Sequence, residues 1–154
     1  MDRESLMSEI SIRRAMHEDI PEWLRMRQAL WGTSPIEDLR WGLEESLNDS
    51  KQAIFFAVRA DGSPCGFLEA GMRSYGEGCE TSPVGYIEGW YVDDDIRNQG
   101  VGRRLVQTAE DWARSLGMTE MASDTWLDNE TSIQAHLRMG YEEMERLVHF
   151  VKKL

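Results

Sequence analysis

The sequence predicts a mixed α/β domain, a central β-sheet flanked by helices, with elements in the order β-α-α-β-β-β-α-β-α-β. Three observations carry this. Apolar runs of strand length recur at Ala53–Arg59, Pro64–Arg73 and Tyr86–Val92. Between and after them the apolar spacing changes to that of helices, most clearly from Val101 to Leu116. Turn residues punctuate the changes, at Asp61-Gly62, Gly117 and Gly140. A chain of 154 residues, 41% hydrophobic, suits one domain with a real core, expected over residues 9–154. Met1-Asp-Arg-Glu-Ser-Leu has no apolar centre of the signal-peptide kind, so residues 1–8 are expected to be a disordered lead-in.

Glu9–Ala15 alternates and reads as the first strand. Asp19 is the expected N-cap of a helix over Glu22–Trp31, with Pro21 just inside its start. Gly32–Pro35 breaks that helix, and Ile36–Asn48 is expected to be a second one, with Leu39, Leu43 and Leu47 at spacing four. Ala53–Arg59 and Pro64–Arg73 form a hairpin across Asp61-Gly62. A loop rich in turn residues, Tyr75–Pro83, leads to the strand Tyr86–Val92. The next helix carries Val101, Leu105, Val106, Ala109, Trp112, Ala113 and Leu116 on one apolar stripe and stops at Gly117. Glu120–Thr125 is a short strand, Asn129–Met139 a helix stopped by Gly140, and Leu147–Val151 a last strand.

The segment with most chemical content is Val92-Asp-Asp-Asp-Ile-Arg97-Asn-Gln-Gly100-Val-Gly102. It is a strand, a turn ending in Arg-x-x-Gly-x-Gly, and a helix start. Glycines admit backbone N–H groups close to an anion, and a helix N-terminus adds open N–H donors and a positive dipole end. Such a loop suits a pyrophosphate; the alternative is a tight strand-to-helix turn with no ligand. A P-loop would continue Lys-Ser/Thr where Arg103-Arg104 stands. A dinucleotide fingerprint would need a third glycine.

Arg-x-x-Gly-x-Gly after a strand ending at Val92 resembles the acetyl-CoA loop of the GNAT N-acetyltransferases, and the element order from about Ile10 to Val151 is similar to theirs. Further pieces resemble the aminoglycoside 6′-N-acetyltransferases. These are Leu30-Trp31 before an acidic helix, Gly78-Cys-Glu-Thr-Ser-Pro83, Glu88-Gly89, Glu120-Met-Ala-Ser-Asp-Thr125, Asn129-Glu-Thr-Ser-Ile133, His136 and Gly140-Tyr-Glu-Glu143. The resemblance implies a GNAT fold, acetyl-CoA as co-substrate, and direct acetyl transfer to the 6′-amine of an aminoglycoside, which is antibiotic resistance. It places the cofactor on Tyr91, Val92, Arg97, Asn98, Gln99, Gly100, Val101, Gly102, Arg103, Asn129 and His136, with the Val92 N–H on the thioester carbonyl. Relatives of this kind are commonly dimers, so a homodimer is expected, with the last strand shared between subunits.

An aminoglycoside is a polycation rich in hydroxyls, so its site should hold carboxylates and aromatic walls. The candidates are Glu37, Asp38, Glu80, Glu88 and Asp124, with Trp31, Trp41 and Tyr75. The reacting amine must lose a proton before attack. Glu88 is the first choice of base, with binding of a substrate ammonium as the other reading. It stands four residues before Val92, about 13 Å along a straight strand, which demands a water or a bent strand. Asp124 either binds an ammonium, shares the base role, or caps the turn before Asn129. His136 stands where many GNAT enzymes have a tyrosine that protonates the leaving thiolate. It either hydrogen-bonds the sulfur, or packs and contacts CoA. Asn129 touches the pantetheine arm, caps a helix, or does both. Trp90 and Trp112 are expected to be structural.

Net charge −11 opposes nucleic-acid binding and favours cationic partners, or serves solubility alone. No apolar run is long enough to span a membrane. Two cysteines and three histidines make neither a disulfide framework nor a metal site, and a reducing cytoplasm is the expected location. No Cys or Ser is placed by the sequence for an acetyl-enzyme. The rival readings are the same chemistry on a polyamine or peptide amine, and an acyl-CoA sensor without turnover.

Overall fold

The structure, a computed structural model, describes residues 9–154; the expected lead-in over residues 1–8 lies outside them. Five strands form one sheet in the order β1-β2-β3-β4-β5. They are β1 (Ser11–Arg14), β2 (Gln52–Val58), β3 (Pro64–Arg73), β4 (Val84–Val92) and β5 (Met121–Ser123). The first four pair antiparallel, and β4 and β5 pair parallel. The helices are α1 (Ile20–Leu30), α2 (Ile36–Arg40), α3 (Leu43–Asn48), α4 (Val101–Ser115) and α5 (Glu130–Arg138).

Both faces of the sheet are covered, which explains why β2 is an unbroken apolar run rather than an alternating one. Ala53, Phe55 and Ala57 face α4, where Leu105, Val106, Ala109 and Trp112 pack with Cys65, Leu68 and Ile87. Ile54, Phe56 and Val58 face the other way, against Trp23 and Met26 of α1 and Leu43 of α3. The stripe read for α4 is buried at Val101, Leu105, Val106, Ala109, Trp112 and Ala113, but Leu116, past the helix end, is exposed. Gly117 and Gly140 take positive φ just after α4 and α5, the expected stops.

Three sequence expectations are corrected. The single helix over Ile36–Asn48 is two: Trp41 is extended and Gly42 has φ +77°, a left-handed kink that ends α2 and starts α3. Asp19 does not cap α1 with its side chain. Its carboxylate turns back to accept the Met16 N–H at 2.7 Å and a two-point fork from Arg13 at 2.6 and 2.9 Å. The strand expected over Leu147–Val151 is not formed. Residues 141–154 have no regular structure within this chain, and Phe150 and Val151 are 92% and 96% exposed. A strand needs a neighbour to hydrogen-bond, and none pairs with this segment among the described residues.

Candidate active site

The site begins with a flaw in strand pairing. Glu69 of β3 faces Gly89 of β4, but the next residue, Ala70, faces Ile87. Glu88 is therefore an extra, unpaired residue on β4: a β-bulge, which bends the strand and re-aims a side chain. The bend that a base at Glu88 required is supplied by this irregularity. On the far side of β4, pairing with β5 stops at Ile87–Ser123. From Glu88 to Val92 that edge has no strand beside it, so the sheet opens at the bulge.

Side chains missed in the sequence gather around Glu88. Arg73, at the end of β3, donates from Nε and Nη2 to its two carboxylate oxygens at 2.7 and 2.6 Å. The same guanidinium lies 3.6 Å from the centre of the Tyr86 ring. The Tyr86 hydroxyl donates to Asp124 at 2.8 Å. Burial, then this bond to a carboxylate, raises the Tyr86 pKa, keeping the phenol protonated. The Glu88 bond is the leading cause of the raised Arg73 pKa. Glu88 and Asp124, predicted separately, are thus joined through Arg73 and Tyr86.

The opposite wall is aromatic. Trp31 packs where a Cβ on Gly89 would stand, only 2.6 Å from its ring, and meets Phe67 edge-on at 6.4 Å. Arg27 lies over Trp31, 5.0 Å from the ring centre. Beneath, Glu69 accepts from the Trp23 indole at 2.8 Å and lies 3.2 Å from Arg27 Nε. Burial raises its pKa. An open cavity of about 340 Å³ beside Glu88 is also lined by Asp49, Lys51, Gln52, Gly71 and Met72.

The remaining substrate candidates are more dispersed. Tyr75 is exposed on the loop after β3. That loop is pinned by Glu120, whose carboxylate accepts from the N–H groups of Glu80 and Thr81 at 2.8 and 2.7 Å and from the Thr81 hydroxyl. These bonds hold the Glu80 backbone. Glu37 and Asp38 stand exposed on the first turn of α2, and Trp41 is exposed after it.

In the Arg-x-x-Gly-x-Gly turn the residues divide their duties. Arg97 closes the turn by donating to the Val92 carbonyl at 2.8 Å, pairs with Asp94 at 2.6 Å and lies over Tyr91. Asn98 and Gly100 both have positive φ, 61° and 84°. Gly102 is required for a different reason: a Cβ there would stand 2.9 Å from the Trp90 ring. The first i→i−4 bond of α4 is Arg104 to Gly100, so the N–H groups of Val101, Gly102 and Arg103 precede the helical ladder. That geometry fits an anionic diphosphate. Gln99 lies partly buried in this turn. Arg103 reaches the Arg138 carbonyl at 3.1 Å, tying α4 to α5.

On α5, Asn129 accepts from the Ser132 N–H at 3.1 Å, the capping bond. His136 Nδ1 lies 2.7 Å from the Ser132 carbonyl, which can only accept, so this nitrogen carries the proton. In the neutral ring Nε2 then accepts from the Ser123 hydroxyl at 2.8 Å. The imidazole also packs edge-on against Trp90 and Tyr141. Among the described residues no helix is long and apolar enough to cross a membrane.

Known proteins resemble this chain in sequence and fold. The acetyltransferase (GNAT) family matches residues 16–141. The aminoglycoside N(6′)-acetyltransferase type 1 of Stenotrophomonas maltophilia is 40% identical over 143 residues, covering 91% of each chain. That of Klebsiella aerogenes is 41% identical over 139 residues, covering 88% of this chain and 91% of its own. The solved structure of AAC(6′)-Iy with the bisubstrate analog CoA-S-monomethyl-acetylneamine superposes with a TM-score of 0.88 at 34% identity, covering 94% of this chain and 99% of its own. The chain belongs to the acetyltransferase (GNAT) family, among the relatives named aminoglycoside N(6′)-acetyltransferase type 1.

Proposed function

We propose that this chain, acting as one domain over residues 9–154, transfers an acetyl group from acetyl-CoA to the 6′-amine of an aminoglycoside, directly and without an acetyl-enzyme. The observation that carries the reading is the bulge at Glu88, which takes a carboxylate out of the strand ladder at the level where the pairing of β4 with β5 ends. Family membership supports the reaction class and the co-substrate. The turn from Tyr91 to Arg103 takes the CoA phosphates on the open N–H groups of α4, and the parted edge of β4 takes the pantetheine arm, with Asn129 and His136 on its far side.

In the reaction the amine nitrogen bonds to the thioester carbon and the carbon–sulfur bond breaks. The electron pair leaves on sulfur, and the nitrogen's proton passes to Glu88, directly or through a water. The Val92 N–H stands on the side where the oxyanion develops. A free thiol has a pKa of about 8.5, so the thiolate needs little help to leave near neutral pH. That fits His136 as a packing and CoA-contacting group, since its Nε2 is engaged as an acceptor from Ser123. Trp31, Tyr75, Glu37, Asp38, Glu80 and Asp124 line the drug's approach.

The protein works in the cytoplasm as a homodimer, meeting no nucleic acid or membrane. The exposed apolar tail around Phe150 and the unpaired outer edge of β5 support tail exchange between two copies.

The test is CoA-thiol release with neomycin, which has an amine at the 6′ position, and paromomycin, which has a hydroxyl there. Turnover with neomycin alone is expected. Turnover with both moves the reaction to another ring amine. Turnover with neither, while acetyl-CoA binds, moves it to polyamine or peptide amines or to a sensor.

A further inference from the structure

Glu88 is occupied. Arg73 holds both of its carboxylate oxygens, at 2.7 and 2.6 Å, in the two-point geometry that makes guanidinium–carboxylate pairs specific. The guanidinium is also seated on the Tyr86 ring, 3.6 Å from its centre, and the hydroxyl of that ring is bonded to Asp124. One cation thus fills the space in front of Glu88 and is linked through one side chain to Asp124. Yet the pair is open to water, with the Arg73 and Glu88 side chains 43% and 36% exposed. An exposed pair is exchangeable, because water can solvate each partner once they part. The chain's net charge of −11 attracts any cation, so charge alone selects poorly among amines.

We propose that Arg73 is a built-in competitor for the ammonium seat at Glu88, so that every amine must displace the guanidinium to bind, and an amine with a second ammonium in reach of Asp124 offsets that cost best. A lone amine exchanges one ion pair for another and gains little. A polyamine keeps the Glu88 pair, adds the Asp124 contact and leaves the guanidinium to water. This rests on the reading that Glu88 faces the reacting amine.

The experiment compares two substrates bearing the same aminomethyl sugar carbon: neamine, a polycation, and 6-amino-6-deoxyglucose, a monocation. KM and kcat are measured for the unmodified protein, Arg73→Gln, Arg73→Lys and Glu88→Gln, with acetyl-CoA binding followed in each. In Arg73→Gln the KM of neamine and the KM of the monoamine should each fall by about three- to fivefold with their ratio kept, the size expected for one exposed ion pair. Arg73→Lys, a cation without the fork, should fall between. KM values unchanged or raised in Arg73→Gln, or an equal loss of kcat on both substrates, overturn the proposal and leave Arg73 a structural residue. Full turnover of neamine by Glu88→Gln overturns the underlying reading of Glu88, and the proposal with it. Loss of turnover in Glu88→Gln with unchanged KM values in Arg73→Gln removes the proposal alone.

Discussion

Two glycines show how a single missing Cβ shapes this site. At Gly89 a methyl would stand 2.6 Å from the Trp31 ring, and at Gly102 one would stand 2.9 Å from Trp90. Gly89→Ala should push Trp31 out of the proposed substrate wall, lowering turnover of the aminoglycoside while acetyl-CoA binding, proposed for the turn after β4, is kept. Equal loss of both, followed by CoA release and by CoA titration, would show that the wall does not act alone. Gly102→Ala gains helix propensity but overpacks a tryptophan, and the second effect wins because the ring cannot collapse. A cost of about 1–3 kcal/mol is expected, read as a lower melting temperature. Glu88→Gln keeps the shape and removes the proposed base. Turnover should fall by about a hundredfold or more with CoA still bound, checked by steady-state CoA release. Glu88, Asp124, Trp31 and the glycine turn were legible because their residue types announce their chemistry. Arg73 was not: fifteen positions, a loop and a bulge separate it from Glu88, and no sequence period spans them.

At the scale of elements, the start of α1 is held by an ion pair rather than a helix cap. Asp19 is nearly buried, accepts from Met16 and is forked by Arg13. The Arg13 hydrogen bond is the chief reason its pKa lies below the ordinary carboxylate value. A lowered carboxylate pKa stabilises the fold when ionised. That contribution is fully present above the unfolded value, about pH 4, and is lost as the pH falls through the lower folded value. Asp19→Asn should therefore cost about 1–3 kcal/mol near neutral pH and flatten the acid side of the stability curve. Urea unfolding from pH 2 to 7 reads both; an undiminished acid slope in the variant would assign that slope to other carboxylates. The alternation that marked β1 and the continuous burial that marked β2 were visible in sequence. The break at Trp41-Gly42 was not, because leucines at spacing four continue through it and hide the left-handed glycine.

For the whole molecule, the open question is the tail. Val148, Phe150 and Val151 are exposed together, an apolar set that a lone subunit leaves in water. If a second copy covers them, replacing Phe150 and Val151 with aspartate should convert dimer to monomer in sedimentation at micromolar concentration. A monomeric unmodified protein would refute the homodimer. Activity of the monomer then tells whether each subunit holds a complete site.

The sequence by itself determined the order of the five strands and of the helices α1, α4 and α5, the glycine turn after β4 and the family resemblance. Those depend on local periodicity, on glycine's backbone freedom and on motifs within one stretch of chain. Only the tertiary structure decided that Glu88 lies on a bulge, that Arg73 answers it, that Gly102 makes room for Trp90, and that the segment 147–151 finds no strand partner among the described residues. Each depends on which residues of distant segments meet. Register between strands sets that, and a one-residue slip at Glu88 is enough to turn the strand's side chains toward the cleft.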